Sequence, residues 1–174
     1  MEIYRFHEIL GQPLLNGDVQ RDWRALEERF TVSLPYDYKE FVTAYGPGCV
    51  NDQLYLFHPR AADGDDSLRL ETLWEQASYA FSELRRSAPE MYPYPVYPAT
   101  GGLVPVARSI SGNHVFITPP PAGGNAWSVI LEMGQWIPVQ MSFTEFMWAA
   151  LREELGIPII EGEPKFEQIG TVEP

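Results

Sequence analysis

The middle third of the sequence constrains the fold most strongly, because it is rich in proline and almost free of charge. Nine of the sixteen prolines lie between Pro89 and Pro138, and residues 91–141 carry only two charged side chains, Arg108 and Glu132. Proline removes a backbone donor and pushes the residue before it toward extended conformations. The chain is therefore predicted to form helices first, then strands and turns, and then a last helix.

Hydrophobic periodicity predicts two short helices in the first third. Within residues 18–30, apolar side chains recur at helical spacing along one face, and Asp18 is placed to act as the N-cap. Residues 34–45 carry a second apolar stripe. Pro35 suits the first turn of this second helix, and Gly46 is expected to end it in the left-handed conformation.

Two more helices are predicted further along the chain. A long helix is expected to start at Asp66 or Ser67 and to run toward Pro89, with apolar residues at helical spacing. The last helix begins with a capping box at residues 142–145, because a serine is followed three positions later by a glutamate. Gly156 is expected to end this helix.

Strands are predicted where β-forming residues alternate between turn signals, at 52–59, 103–109, 113–119, 126–133 and 135–141. Pro138 in the last of these would confine that strand to an edge or an end of the sheet. The order of elements predicts an α+β fold, with a mostly antiparallel sheet and helices packed on one face.

The length of 174 residues favours a single domain. We predict one domain over residues 1–174, with its core at about 18–156. The segment 157–174 is acidic and contains proline, so it is predicted to be a tail that is frayed or draped over the surface.

Acidic residues outnumber basic ones by twenty-four to twelve, which gives a net charge of −12 and a pI near 4.6. The charge is −7 in residues 1–90 (nine bases, sixteen acids), zero in 91–141 and −5 in 142–174 (two bases, seven acids). Such a surface repels phosphate, so neither nucleic acid nor an anionic membrane is an expected partner. A basic protein would suit it, although many proteins are acidic simply to remain soluble.

The location of the protein is predicted to be cytoplasmic. No apolar run approaches the length of a membrane span, and the N-terminus lacks a basic-then-apolar secretion signal. The single cysteine, Cys49, fits a reducing compartment. It follows a predicted helix end, where the dipole would raise the thiol pKa, so we expect it to pack rather than react.

No catalytic residue, metal or cofactor is predicted. The histidines His7, His58 and His114 have no metal-ligand spacing, and His58 and His114 are expected to be surface or half-buried ring fillers. The sequence also contains no nucleophile elbow, phosphate-binding loop or dinucleotide-binding motif.

An acidic ridge is the first candidate surface for a basic protein partner. Its residues are Asp63, Asp65, Asp66, Glu71 and Glu75. Trp74 would be its anchor if exposed, but it lies on the apolar face of the predicted helix. A calcium loop is not supported, because Leu68 and Trp74 occupy the positions that require glycine and glutamate. A weak cation site or a solvated, helix-capping loop remain alternatives.

A tyrosine–proline loop is the second candidate surface. Tyr92, Tyr94 and Tyr97 alternate with prolines, and rigid tyrosines lose little entropy on binding. The alternative is a loop packed across the sheet or an edge strand.

Motifs along residues 18–156 resemble the SUKH superfamily of Smi/Knr-type domains. They include Trp23 and Glu27, the run LPYDYKEF at 34–41 and YGPG at 45–48, followed by the strand segments and the closing helix in the same order. The motif residues are interpreted as helix packing and stop signals: Trp23, Pro35, Tyr38, Phe41, Tyr45 and Gly46. The chain departs from the family in YGPG, where Asn-Gly is commoner, and in its long helix and tyrosine–proline loop at 67–98.

The resemblance implies an α+β binding domain without shared catalytic residues. Bacterial members are often immunity proteins that neutralise polymorphic or contact-dependent toxins, many of them nucleases, whereas eukaryotic relatives are regulatory interaction modules. We therefore expect a cognate basic toxin domain as partner, with a regulatory scaffold as the alternative. A hydrolase with a carboxylate pair is a third hypothesis, but no spacing in the sequence supports it. The oligomeric state stays open.

Overall fold

The fold is described by a computed structural model that covers residues 1–13, 17–64 and 67–174. Within these ranges the helices are α1 (Tyr4–Leu10), α2 (Val19–Phe30), α3 (Tyr36–Tyr45), α4 (Leu70–Ser87) and α5 (Phe143–Leu151). The strands are β1 (Gly48–Val50), β2 (Leu54–Leu56), β3 (Val104–Ser109), β4 (His114–Thr118), β5 (Ser128–Glu132), β6 (Trp136–Val139) and β7 (Phe166–Gln168). None of these helices is long and apolar enough to cross a membrane.

The strands form one antiparallel sheet in the order β6-β5-β4-β3-β2-β1-β7. This confirms the predicted α+β fold. Pro138 lies on β6, which is an edge strand as its proline required. Neither α1 nor β1 was predicted from the sequence.

Helices cover both faces of the sheet, so the expectation that they lie on one face is wrong. On β4, Val115 and Ile117 join the larger core with Phe146 of α5, whereas Phe116 packs against Phe81 of α4 with ring centroids 5.4 Å apart. Successive side chains of a strand point to opposite faces. The three consecutive buried residues at the centre of β4 therefore need cover on both sides.

The helix α4 begins later than predicted, at Leu70 instead of at Asp66 or Ser67. The amide of His58 donates to the carbonyl of Leu68 at 2.9 Å, and the amide of Leu70 donates to the carbonyl of His58 at 3.1 Å. The segment before α4 is thus held extended beside residue 58, which prevents it from joining the helix.

The helix α5 ends earlier than predicted, at Leu151 instead of near Gly156. Glu153 takes a positive φ of 57°, and its amide donates to the carbonyl of Ala150 at 3.1 Å. The chain therefore reverses before it reaches the glycine. At Gly46 the expected left-handed conformation is also wrong, because φ is −76° and the backbone is extended.

The tail is part of the fold, so the prediction of a frayed or surface-draped segment is wrong. Ile159 and Ile160 are buried in the main core. Further on, β7 pairs with β1, with Glu167 opposite Cys49. The last strand of the chain thus forms an edge of the sheet.

Candidate partner-binding surfaces

The motif residues that carry the family resemblance pack α2, α3 and α5 together. Trp23 is 1% exposed, and its Nε1 donates to Oγ1 of Thr43 on α3 at 2.9 Å. The Trp23 ring meets the edge of Tyr38 at 5.2 Å, and Tyr38 meets Phe143 of α5 at 5.0 Å. Phe41 is also fully buried and packs on Phe143 at 5.7 Å.

The remaining motif residues lie at the two ends of α3. Pro35 is the N-cap of α3. At the other end, the hydroxyl of Tyr45 donates to the carbonyl of Gly11 at 2.8 Å, which ties α3 to the segment after α1. A Cβ on Gly46 would lie 3.2 Å from the carbonyl oxygen of Val42, so a close backbone approach favours glycine there.

The residues of the predicted acidic ridge have different environments. Asp63 is 81% exposed and lies 3.6 Å from Arg69, and Glu75 is exposed on α4. Glu71 is only 17% exposed, because it pairs with Arg29 of α2 at 2.8 Å. Asp65 and Asp66 lie outside the described residues.

Trp74 is part of the core instead of an exposed anchor. It is 4% exposed, and its Nε1 donates to the carbonyl of Pro105 at 3.0 Å. In this region α4 therefore packs on the sheet, and the side chains of Glu75 and Asp63 are exposed to solvent.

The predicted tyrosine–proline surface is packed across the fold. The hydroxyl of Tyr97 donates to the carbonyl of Phe30 at 2.6 Å, and its ring lies 5.2 Å from Trp74. Tyr94 packs on Trp136 of β6 at 5.3 Å, and Tyr92 lies nearby at 6.4 Å from the same ring. All three tyrosines are half-buried, which leaves only part of each ring for a partner.

The histidines lie at separate places in the fold. His58 is fully buried, which makes the expectation of a surface or half-buried ring wrong for this residue. Its Nδ1 accepts from the amide of Arg60 at 2.9 Å, and burial lowers its pKa to about 4. His114 is half-buried and stacks on Phe116, and burial likewise lowers its pKa to about 4.

Cys49 is buried on β1, and burial raises the pKa of its thiol. Within residues 1–13, 17–64 and 67–174, no three histidine, cysteine, aspartate or glutamate side chains come together as a metal site.

A groove of about 930 Å³ lies between α1, α2 and α3. Its charged lining is largely paired. Lys39 bonds to Glu27 at 2.8 Å, and Arg24 bonds to Glu28 at 3.2 Å. The Lys39–Glu27 pair joins α3 to α2, whereas Arg24 and Glu28 both lie on α2. Asp18 and Glu40 also line the groove.

A group of exposed charged side chains lies where the tail meets the β1–β2 turn. We call this region the acidic end, and it consists of Asp52, Glu153, Glu154, Glu161, Glu163 and Glu167. All six carboxylates are exposed. Arg152 and Lys165 are the cations between them, so the local net charge is 2 − 6, or −4.

Hydrogen bonds hold the acidic end together across the sequence. The amide of Gly162 donates to Oε1 of Glu153 at 3.2 Å. Lys165 pairs with Asp52, and Arg152 pairs with Glu154 at 3.0 Å. The charge of −5 in residues 142–174 was visible in the sequence. The sequence did not show that these acidic residues lie beside Asp52, because that proximity depends on the pairing of β1 with β7.

The fold is an α+β domain whose antiparallel sheet is covered by helices. Residues 20–148, well over half of the chain, match the model of the SMI1 / KNR4 family (SUKH-1). The chain belongs to this family, which confirms the resemblance seen in its motifs. The family is generally non-catalytic. No curated protein and no solved structure gives a significant match to the chain.

Proposed function

We propose that this protein is an immunity protein that binds a cognate basic toxin domain and neutralises it. Membership of the SMI1 / KNR4 family supports a binding role. The observation that carries the proposal is the acidic end, which gathers a net charge of −4 into one exposed region of a protein whose total is −12. A surface of this kind suits a partner of opposite charge.

The acidic end would act first on the rate of encounter. Exposed carboxylates attract a basic surface over about 8 Å at physiological ionic strength, and they orient it before contact. Electrostatic steering of this kind raises association rates more than it raises affinity. The bound protein would then cover the substrate cleft of the toxin or hold the toxin in an inactive form.

Co-expression tests this function directly. The probe is a basic toxin domain, to be taken from the C-terminus of a large secreted protein if the gene beside that of this chain encodes one. We expect cells that express this toxin domain to survive only when the chain is co-expressed, and the two proteins to co-elute as one complex on size-exclusion chromatography.

A matched pair of variants separates the effect of the acidic end from the effect of the total net charge. The first variant replaces three of its carboxylates by amides: Glu161→Gln, Glu163→Gln and Glu167→Gln. The control makes the same change at exposed sites elsewhere: Glu2→Gln, Glu8→Gln and Glu90→Gln. We expect the control to protect cells fully and the first variant to protect them poorly.

Cell death despite abundant folded protein, with no complex formed, would contradict toxin neutralisation. A regulatory protein of the same fold would then be the better interpretation. Equal protection by both variants would leave neutralisation standing but would exclude the acidic end as the binding surface.

A further inference from the structure

The helix α4 carries a solvent-facing stripe that nothing covers among the described residues. Its members are Glu75, Tyr79, Ser82 and Arg86, all of them exposed. At 3.6 residues per turn these four positions fall within a narrow sector opposite the buried face. Tyr79 lies at one edge of the sector, about 40° from Glu75, and its large aromatic side chain is 75% exposed.

The charges of this stripe are arranged so that α4 of one copy is complementary to an antiparallel α4 of a second copy. Glu75 lies toward the N-terminal end and Arg86 lies eleven residues later, about 16 Å further along the axis and about 20° around it. If two copies of α4 lie antiparallel, Glu75 of each copy faces Arg86 of the other. A two-fold axis makes both contacts identical.

The residues between the two charges allow close approach. In the same register, Tyr79 of one copy lies over Ser82 of the other. The small side chain of Ser82 leaves room for the tyrosine ring, which is a type of side chain enriched among the residues that contribute most to interfaces. Arg86 also pairs with Glu83 in its own helix. It can keep this exposed contact while it meets Glu75 of the second copy.

We propose that α4 is a self-association surface, through which two copies of this chain form an antiparallel, two-fold symmetric contact centred between Tyr79 and Ser82. The proposal is independent of any toxin partner. One helix pair buries less than the roughly 1,200–2,000 Å² of a stable interface. Each copy also carries a net charge of −12, which opposes association. The dimer is therefore weak, and it forms at high protein concentration.

Sedimentation velocity over a range of protein concentrations tests the proposal with charge variants. Glu75→Arg places arginine opposite arginine in the dimer, and Arg86→Glu places glutamate opposite glutamate. We expect each variant alone to be monomeric. An equimolar mixture restores two arginine–glutamate contacts, so we expect it to form a heterodimer at least as readily as the unchanged protein forms its dimer.

Net charge cannot produce this result, because the variants carry −10 (−12 + 2) and −14 (−12 − 2) and repel each other. Arg85→Glu is the matched control. Arg85 is exposed and adjacent, but it points about 100° away from Arg86 on the helix. Arg85→Glu should therefore dimerise by itself as the unchanged protein does, and it should form no heterodimer with Glu75→Arg. Tyr79→Ala should weaken the dimer at least tenfold without changing the circular dichroism spectrum.

Two results would overturn the proposal. One is an unchanged protein that stays monomeric at all concentrations. If Tyr79→Ala then weakens only the binding of the toxin domain, this face of α4 binds that partner instead of a second copy. The other is a dimer that neither the charge variants nor Tyr79→Ala alter.

Discussion

The side-chain amide of Asn51 donates a hydrogen bond to the backbone carbonyl of Glu161 at 3.1 Å, which joins the β1–β2 turn to the tail 110 residues later. Its Oδ1 also accepts from the amide of Lys165 at 2.8 Å. Gln53 adds two bonds to the same segment, because its side chain both accepts from and donates to the backbone of Glu161 at 2.7 and 3.0 Å. The tail is thus held by side chains that satisfy its backbone.

Asn51→Ala should release this part of the tail. Asn51 is 6% exposed, so its bonds are sheltered from water, and its φ of 51° suits asparagine better than alanine. We expect the free energy of unfolding to fall by about 2–3 kcal/mol. Urea denaturation measures the loss, and hydrogen exchange should show faster exchange in residues 161–169.

Asn125→Ala is the matched control, because Asn125 is exposed in the loop between β4 and β5. It should change stability by less than about 0.5 kcal/mol. Unchanged exchange of the tail in Asn51→Ala would mean that Gln53 and the pairing of β7 with β1 hold the tail without Asn51.

Thr43→Val should measure how much the hydrogen bond between Trp23 of α2 and Thr43 of α3 contributes to stability. The substitution keeps the shape of Thr43 but removes the acceptor of the Trp23 indole, which is buried. A buried donor without a partner costs about 1–3 kcal/mol of stability. Chemical denaturation measures this loss, and Thr100→Val at an exposed site is the control.

A double-mutant cycle with Trp23→Phe isolates the contact. Once the indole donor is absent, Thr43→Val should cost far less than it does in the unchanged protein. Strictly additive losses would show that the bond contributes nothing and that packing alone joins the helices.

Acid should destabilise the protein through His58 and His114. Burial lowers the pKa of each to about 4 in the folded state, whereas histidine in the unfolded chain has its ordinary value of 6.5. Between these values the unfolded state binds more protons, so stability is fully present above pH of about 6.5 and is lost as the pH falls toward 4.

His114→Phe tests this dependence while it keeps an aromatic ring beside Phe81 and Phe116. Between pH of about 7 and pH of about 5, we expect the unchanged protein to lose about 1–2 kcal/mol more than the variant. Urea denaturation at the two pH values measures the difference. Identical losses would show that His114 titrates normally in the folded protein.

The two N-cap signals in the sequence predicted local structure correctly, whereas the glycine stop signals at Gly46 and Gly156 did not. Asp18 caps α2 by accepting from the amide of Arg21 at 2.8 Å, and the capping box of Ser142 and Glu145 is present at the start of α5. In both cases the interacting groups lie three residues apart. The sequence pattern therefore contains the whole interaction.

The position of the tail and the burial of the predicted contact residues depend on contacts between residues far apart in the chain, which the sequence did not predict. The tail reads as a frayed segment until Asn51 and the edge of β1 are placed beside it. The same applies to the predicted contact residues. Glu71 is held by Arg29, 42 positions earlier, and Tyr97 by the carbonyl of Phe30, 67 positions earlier. Exposure could not be deduced from residue type alone.

The association rate with the toxin domain is the most direct test of the proposed basic partner. Stopped-flow fluorescence at about 50 mM and about 500 mM salt compares steering with and without screening. We expect association to be at least tenfold faster at low salt, and most of this difference to disappear when Glu161, Glu163 and Glu167 are changed to glutamine. Equal rates at the two salt concentrations would contradict recognition of a basic partner by the acidic end.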